Sequence, residues 1–168
     1  MHIHNVRDYG TFFACRMKTC DHSLWLSLVA DLVAKDGIKL QQCWDPLPRA
    51  YLGTTVPNFP NLFVACGPNV ETGHTSQILM IEAQMHYTMR SILEVLRNDA
   101  KYIEVKQEAE EEYNRRIQMA MERMVWKTGG CHGWYQNKDG DVMALYPGFS
   151  FTFERMAKNF KPDHHLIR

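Results

Sequence analysis

The pattern of hydrophobic and polar positions is clearest in the middle of the chain. Residues 61–66 form a continuous apolar run of strand length that stops at Gly67-Pro68-Asn69, which is the pattern of a buried, parallel strand. Between Ile78 and Leu96, apolar side chains recur with the 3.6-residue period of a helix. We therefore predict a strand, a turn and a long helix that begins near residue 75. Three side chains could supply the N-cap oxygen of this helix: Thr72, Thr75 and Ser76.

The N-terminal third is less regular. Residues 11–17 predict a short strand, and residues 24–34 have the period of a helix that would stop at Asp36-Gly37. Residues 38–60 contain several prolines, and each one removes a backbone donor and restricts its predecessor. We expect an ordered loop there, anchored by aromatic side chains.

A second long helix is predicted from about Glu104 to Val125, with Tyr113 and Ile117 on its apolar face. The methionines fall mostly in the two long helices, where we expect them to fill the core. After Gly129-Gly130, two β-like stretches flank a glycine-containing turn and predict a hairpin. Residues 149–160 predict a short amphipathic segment. This order is typical of the closing end of an α/β domain with a helical appendage.

Composition limits the function classes. Lys and Arg equal Asp and Glu at 19 each, so no overall charge favours nucleic acid as a partner. No apolar run approaches the ~20 residues of a bilayer span, and we expect no membrane span. The five cysteines are scattered, which predicts a reducing, cytoplasmic location. Their one local cluster with histidines fits no zinc spacing, and we predict no metal site. That cluster comprises Cys15, Cys20, His22, His2 and His4.

The candidate chemistry lies at the junction of strand and helix, residues 67–77. A ligand often binds beyond the carboxyl end of a strand in α/β sheets, and a helix N-terminus there offers partial positive charge. The competing interpretation is a tight turn followed by an ordinary cap. A hydrolase built on His74, Thr75 and Ser76 is disfavoured because adjacent side chains at a helix entry diverge, and no catalytic residue is assigned.

We interpret several other side chains as structural and not functional. We expect Glu82 on a solvated helix face and His164-His165 at the surface. Cys66 and Cys131 are expected to be buried small hydrophobes. Four aromatic residues are interpreted as loop or interface anchors: Trp44, Tyr51, Trp134 and Tyr146.

A family resemblance rests on a series of short motifs between residues 37 and 155. Trp44 precedes Arg49-Ala50-Tyr51-Leu52-Gly53, and Pro57-Asn58-Phe59-Pro60-Asn61-Leu62-Phe63 follows. The remaining matches are Gly67-Pro68-Asn69, Gly73-His74, Ser76, Glu82, Gln84, Gly133-Trp134-Tyr135 and Tyr146-Pro147-Gly148. In these residues the chain resembles the C-terminal part of FAD- and NADPH-dependent flavoprotein monooxygenases of the Baeyer-Villiger type.

The resemblance implies an α/β fold: the C-terminal fragment of a flavoprotein with two dinucleotide-binding domains, holding one or two short strands, two long helices and a β-hairpin. Residues 1–36 would be an atypical segment, 37–99 the end of the FAD-binding domain, and 100–168 a helical and hairpin extension. The helix N-terminus would face the flavin pyrimidine carbonyl. The implied cofactor-binding residues are Gly67, Pro68, Asn69, Thr75, Ser76 and Gln77, and the implied substrate pocket is Glu71, Thr72, Gly73 and His74.

The implied activity is insertion of one oxygen atom from O2 into a ketone or heteroatom substrate with FAD and NADPH. The sequence contains no GxGxxG and lacks the family's FxGxxxHxxxW fingerprint. It therefore offers no glycine-rich turn that could bind the cofactor pyrophosphates. We therefore expect this chain to be inactive alone. The alternative is a noncatalytic α/β interaction module that binds a partner chain through an exposed former interface, especially around residues 62–69.

Overall fold

Two small sheets organise the fold. The computed structural model describes residues 12–15, 32–34, 36–130 and 133–168. Strand β1 (Phe12–Cys15) pairs in parallel with β2 (Leu62–Ala65), with Ala14 opposite Val64. All four residues of β2 are buried. The predicted buried, parallel strand is confirmed, as is the short strand within residues 11–17.

The loop before β2 is ordered, as predicted, and contains one short helix, α1 (Leu40–Cys43). Trp44 follows it, is buried, and donates its indole N–H to the carbonyl of Arg49 at 2.8 Å. The predicted helix at 24–34 lies outside the described residues except for its last three. Those three are not helical, because Val33 forms an antiparallel bridge with Lys39.

Helix α2 (Gln77–Arg97) follows β2 after an eleven-residue loop, residues 66–76. Its N-cap is Ser76, whose hydroxyl accepts from the N–H of Ile78 at 3.3 Å. The predicted helix is confirmed, and one of the three candidate caps is selected. Glu82 lies exposed on it, as expected.

The prediction of which face of α2 is buried is wrong. Its most apolar positions are exposed, whereas the buried face is made of small or polar side chains with one methionine and one tyrosine. The reason lies in the elements that α2 contacts. It packs on α5 (Ser150–Lys158) and on β2, and small side chains on α2 let its backbone approach theirs closely. The expectation for the methionines fails at Met89 and Met119, which are exposed. The buried residues of α2 are Met80, Ala83, Gln84, Tyr87, Thr88 and Ser91.

The second sheet joins the segment after α2 to the end of the described chain. Strand β3 (Ile103–Val105) pairs antiparallel with β4 (His165–Ile167). The predicted second helix therefore starts later than expected, because Glu104 lies in β3. The surface position predicted for His164-His165 is also wrong for His165, which is 6% exposed. A single 3-10 turn (Pro162–His164) precedes β4.

Helix α3 (Gln107–Met121) buries Tyr113 and Ile117 as its pattern predicts, and the short helix α4 (Val125–Thr128) follows. The predicted hairpin beyond it is reduced to one antiparallel bridge, Gln136 to Val142. Helix α5 confirms the amphipathic segment predicted near the end.

Cys66 is buried, as expected, whereas Cys131 lies outside the described residues. Most of the Cys and His cluster considered at the N-terminus also lies outside them. Within the part of the chain that is described, no three His, Cys, Asp or Glu side chains converge as metal ligands. No helix in that part combines the length and apolar character needed to cross a bilayer.

Gln84 is the polar centre of the fold. Its side chain is fully buried, and its Oε1 accepts from the backbone N–H of Cys66 at 2.9 Å. Its Nε2 donates to the carbonyl of Gly53 and to the hydroxyl of Thr54, both at 2.9 Å. One amide therefore fixes α2 to the end of β2 and to the loop before it, since every such bond must form to offset burial of the group.

A buried chain of hydroxyl groups links α2 to β4. The Nδ1 of His165 lies 2.8 Å from the carbonyl of Lys161, an acceptor, so this nitrogen carries the proton. The other ring nitrogen therefore accepts from the hydroxyl of Tyr87 at 2.7 Å, and that hydroxyl accepts from Thr55 at 3.0 Å. Burial raises the pKa of Tyr87 well above its usual range.

We expect Gln84→Leu to lower the free energy of unfolding by about 3 kcal/mol, because it leaves the N–H of Cys66 buried without its acceptor. Urea denaturation measures this. The matched control is Gln118→Leu on α3, since the Nε2 of Gln118 is buried without a partner among the described residues. Its replacement should leave the free energy of unfolding unchanged or raise it, because no hydrogen bond is lost. Equal losses in both variants would contradict the role of Gln84.

We expect acid to destabilise the fold through His165. Burial lowers the pKa of His165 from 6.5 to about 4, so the folded state favours the neutral ring. Its contribution is complete above pH 6.5 and is lost as pH falls toward 4, amounting to about 3 kcal/mol. Denaturation midpoints measured from pH 7 to pH 4 should fall less steeply in His165→Gln than in the original chain. His74→Gln, at an exposed position, should keep the original slope.

Candidate functional site

The loop between β2 and α2 begins with a turn that requires glycine. Cys66 takes the left-handed conformation at φ 57°. At Gly67, a Cβ atom would collide with the carbonyl oxygen of Gly53, so no larger residue fits there without moving that loop. Gly67 and Pro68 are both buried. This first part of the loop therefore packs against the chain itself.

Asn69 fixes the next part of the loop to the segment before α5. It is 1% exposed, and its Nδ2 donates to the carbonyls of Val142 and Leu145 at 3.0 and 3.1 Å. Its backbone N–H donates to Met143 at 2.9 Å. Its Oδ1 is buried and has no hydrogen-bond partner among the described residues. An acceptor is thus left open inside the loop that the sequence singled out.

Glu71 continues this attachment as a parallel bridge with Leu145. Its N–H donates to the carbonyl of Ala144 at 2.9 Å, and its carbonyl accepts from Tyr146 at 2.8 Å. Segment 142–146 therefore holds the loop from one side, while Gln84 holds the strand end from the other.

Residues 72–77 close into a compact turn over the N-terminus of α2. The hydroxyl of Thr72 donates to the carbonyl of Thr75 at 2.8 Å, and the N–H of Thr72 donates to the Oε1 of Gln77 at 3.2 Å. The Nε2 of Gln77 lies 3.9 Å from the Sγ of Cys66. The hydroxyl of Ser76 caps the helix, so it is engaged in a structural bond and is not positioned as a free nucleophile.

The N-terminus of α2 opens to solvent. Gly73, His74, Thr75 and Ser76 are exposed, and the first-turn residues Ile78 and Leu79 are exposed as well. A helix N-terminus carries about half a positive charge. Because no packed hydrophobic side chains cover this end within the described residues, it can stabilise negative charge on a ligand.

Two later aromatic residues flank the exposed part of the loop. The Cα of Gly73 lies against the indole of Trp126, such that an added Cβ would come within 2.7 Å of the ring. The ring of His74 meets Phe149 edge-on at 6.4 Å between centroids. Phe149 in turn stacks on Phe151 at 5.3 Å.

The sequence-predicted site residues thus fall into two groups. Gly67, Pro68 and Asn69 are buried and bind the chain's own atoms. The others surround the open helix N-terminus, half-buried or exposed: Glu71, Thr72, Gly73, His74, Thr75, Ser76 and Gln77. Sequence reasoning missed Trp126 and Phe149 because they come from distant elements, and it gave Gln84 no structural role although the residue interrupts an apolar helix.

The residues fit one end of a flavin. An open helix N-terminus suits a ring carbonyl that gains negative charge when the flavin is reduced. The buried, unpartnered Oδ1 of Asn69 is an acceptor in the same loop. The pyrophosphate has no glycine-rich turn in this sequence to hold it.

Comparison with known proteins shows what the chain as a whole is similar to. No protein-family model matches the chain. A Baeyer-Villiger monooxygenase of Pseudomonas aeruginosa is 39% identical over 134 residues, which are 79% of this chain and 25% of that protein. This chain is homologous to the C-terminal portion of flavoprotein monooxygenases of the Baeyer-Villiger type.

Two further relatives match with similar coverage. A Baeyer-Villiger monooxygenase of Streptomyces coelicolor is 33% identical, over 82% of this chain and 27% of its own length. An FAD-binding monooxygenase of Aspergillus terreus is 32% identical, over 82% of this chain and 25% of its own length. The chain spans about a quarter of the length of these curated relatives.

Solved monooxygenase structures share the fold. A cyclohexanone monooxygenase from Rhodococcus bound to NADP+ superposes with a TM-score of 0.71 at 23% identity, over 85% of this chain and 28% of that one. A steroid monooxygenase bound to NADP gives a TM-score of 0.71 at 20% identity, over 84% and 28%. The mixed α/β class predicted from sequence, a portion of a larger flavoprotein, is confirmed.

We expect Gly73→Ala to lower the thermal midpoint by a few degrees, because the new Cβ displaces the indole of Trp126. Differential scanning calorimetry measures this shift. In a Trp126→Ala background the indole is absent, and the same glycine substitution should then cost nothing further. An equal loss in both backgrounds would contradict the contact.

Proposed function

We propose that this chain forms one wall of the cofactor and substrate cavity of a flavin-dependent monooxygenase that inserts one oxygen atom into a ketone or heteroatom substrate. The observation that carries the proposal is the open N-terminus of α2, placed by the end of a parallel strand in a chain homologous to Baeyer-Villiger enzymes. The relatives favour this function over the noncatalytic interaction module.

When bound, FAD supplies the redox and oxygen chemistry, with NADPH as reductant and O2 as the oxygen source. The chain's role is to orient and stabilise. The N-terminus of α2 would face the ring carbonyl, where its partial positive charge favours the reduced, anionic ring without adding a titrating side chain. Ser76 and Gln77 shape this end of the helix through the capping bond and the bond to Thr72.

The substrate would meet the exposed half of the loop. Glu71, Thr72, Gly73 and His74 would line the cavity beside the flavin, backed by Trp126 and Phe149. The aromatic rings behind this polar loop suit a neutral ketone or a soft heteroatom. The buried residues Gly67, Pro68 and Asn69 would support the flavin side of the loop.

The division of the chain follows from this role. Residues 37–99 would close the FAD-binding domain, residues 100–168 would form an extension that braces the loop, and residues 1–36 would remain an atypical segment. Since the chain lacks a phosphate-binding turn of its own, we expect no oxygenation from it alone.

We expect the purified chain to bind FAD weakly, with a shifted visible spectrum and a Kd on the order of 100 μM. Ser76→Asp keeps a good N-cap but places a negative charge at the proposed carbonyl position. It should weaken the binding of reduced FAD about tenfold and leave the thermal midpoint unchanged. The matched control, Gln107→Glu, adds the same charge at the N-terminus of α3 and should leave flavin binding unaltered.

A hybrid protein tests the proposed activity. This chain replaces the corresponding quarter of the Pseudomonas aeruginosa relative, and the purified hybrid is assayed for bound FAD, NADPH oxidation and conversion of a ketone to an ester. We expect FAD to be retained and the ketone oxygenated. No flavin binding by the chain, together with a folded hybrid that retains FAD but does not oxygenate, would overturn the proposal.

A further inference from the structure

The loop before α2 is held at two points by one later part of the chain, the stretch from α4 to residue 146. At the first point, the N–H of Asn69 donates to the carbonyl of Met143 at 2.9 Å. At the second point, the Cα of Gly73 lies against the indole of Trp126, where an added Cβ would come within 2.7 Å of the ring. The relative position of these two contacts therefore controls the shape of residues 69–73.

Gln136 joins the two contacts to each other. Its Nε2 donates to the carbonyl of Trp126 at 3.1 Å, and its Oε1 accepts from the N–H of Gly133 at 3.2 Å. Its backbone forms the antiparallel bridge to Val142, next to the residue whose carbonyl binds Asn69. One half-buried side chain thus connects α4 to the segment that holds the other end of the loop.

The indole of Trp126 is fixed by packing as well as by this hydrogen bond. It meets the ring of Tyr135 edge-on at 5.8 Å between centroids. Both rings pack on the buried cluster of Met121, Val142 and Leu145. Packed side chains deform little, so a shift of the backbone at residue 126 moves the ring with it. The ring in turn moves Gly73, because the two are in contact.

We propose that Gln136 is a positioning residue of the substrate site, acting through Trp126 on Gly73. The inference rests on the function proposed above, in which residues 71–74 line the cavity for the ketone. The hydrogen bond from Gln136 holds the backbone of Trp126, and the indole then sets how far Gly73 reaches into that cavity. Binding of the ketone therefore depends on Gln136, whereas the redox chemistry of the flavin does not.

Gln136→Glu tests this role with little change in shape. The carboxylate keeps an acceptor for Gly133 but has no hydrogen to donate to the carbonyl of Trp126. In the hybrid with the Pseudomonas aeruginosa relative, we expect KM for the ketone to rise about tenfold and kcat to change less than about twofold. The matched control is Gln42→Glu, which also keeps its acceptor, for the N–H of Lys39. It should change neither constant.

NMR spectra of the full chain test the same role without a cofactor. An aromatic ring shifts the signals of hydrogens that lie against it, so the Hα signals of Gly73 report the position of the indole. Gln136→Glu should move these signals toward their values in Trp126→Phe, and Gln42→Glu should leave them in place. Unmoved Gly73 signals in a folded Gln136→Glu chain would overturn the proposal.

A paired substitution separates positioning from a general loss of stability. Trp126→Phe removes the outer ring that meets Gly73 and should raise KM about as much as Gln136→Glu. Gly73→Ala/Trp126→Phe places a methyl group in the vacated space and should return KM to within about twofold of the original value. A KM that stays raised in the double variant, or one that Gln136→Glu leaves unchanged, would overturn the proposal.

The two proposals fail in different ways. A hybrid that retains FAD but oxygenates no ketone would overturn the proposed function, and with it the role of Gln136 in substrate binding. A hybrid that oxygenates the ketone with the same KM before and after Gln136→Glu would overturn the role of Gln136 alone.

Discussion

The fold depends on one buried amide. Gln84 sits on α2 yet satisfies the backbone at the end of β2 and the carbonyl and hydroxyl of the loop before it. A primary amide offers two donors and an acceptor in one plane, so it can join three segments without introducing charge. Because these bonds are sealed from water, losing any one leaves an unpaired polar group. The position of the helix N-terminus, and with it the candidate site, follows from this side chain.

The rest of the site is built by segments far along the chain. Segment 142–146 pairs with the loop at Asn69 and Glu71, and Trp126 and Phe149 reach the exposed side of the same loop. Elements other than the strand and helix that the loop connects therefore support it, while residues 73–76 stay exposed to solvent. Long-range support of this kind suits a loop that must keep a precise shape beside a ligand.

Local patterns predicted the local parts of this structure: the buried strand, the long helix and a cap among three candidates. They failed where contacts with distant parts of the chain decide which residues are buried or paired. The apolar stripe of α2 looked like a core face, but the helix buries Ala83, Thr88 and Ser91 because α5 approaches closely. Strand β3 pairs with a strand some sixty residues later, and no local signal marks either one. The burial of His165 could not be predicted either, because it depends on the pairing of β4 with β3. The loop could be located from its glycines and cap, whereas its aromatic wall could not.

The hydroxyl chain from Thr55 through Tyr87 to His165 runs in one direction, because the carbonyl of Lys161 dictates which imidazole nitrogen is protonated. The phenolic hydrogen of Tyr87 is consequently sequestered between two partners in a water-free interior. Its exchange with solvent requires that its bond to His165, which lies on β4, break. The exchange rate of that single hydrogen therefore reports local opening around β4, separately from global unfolding.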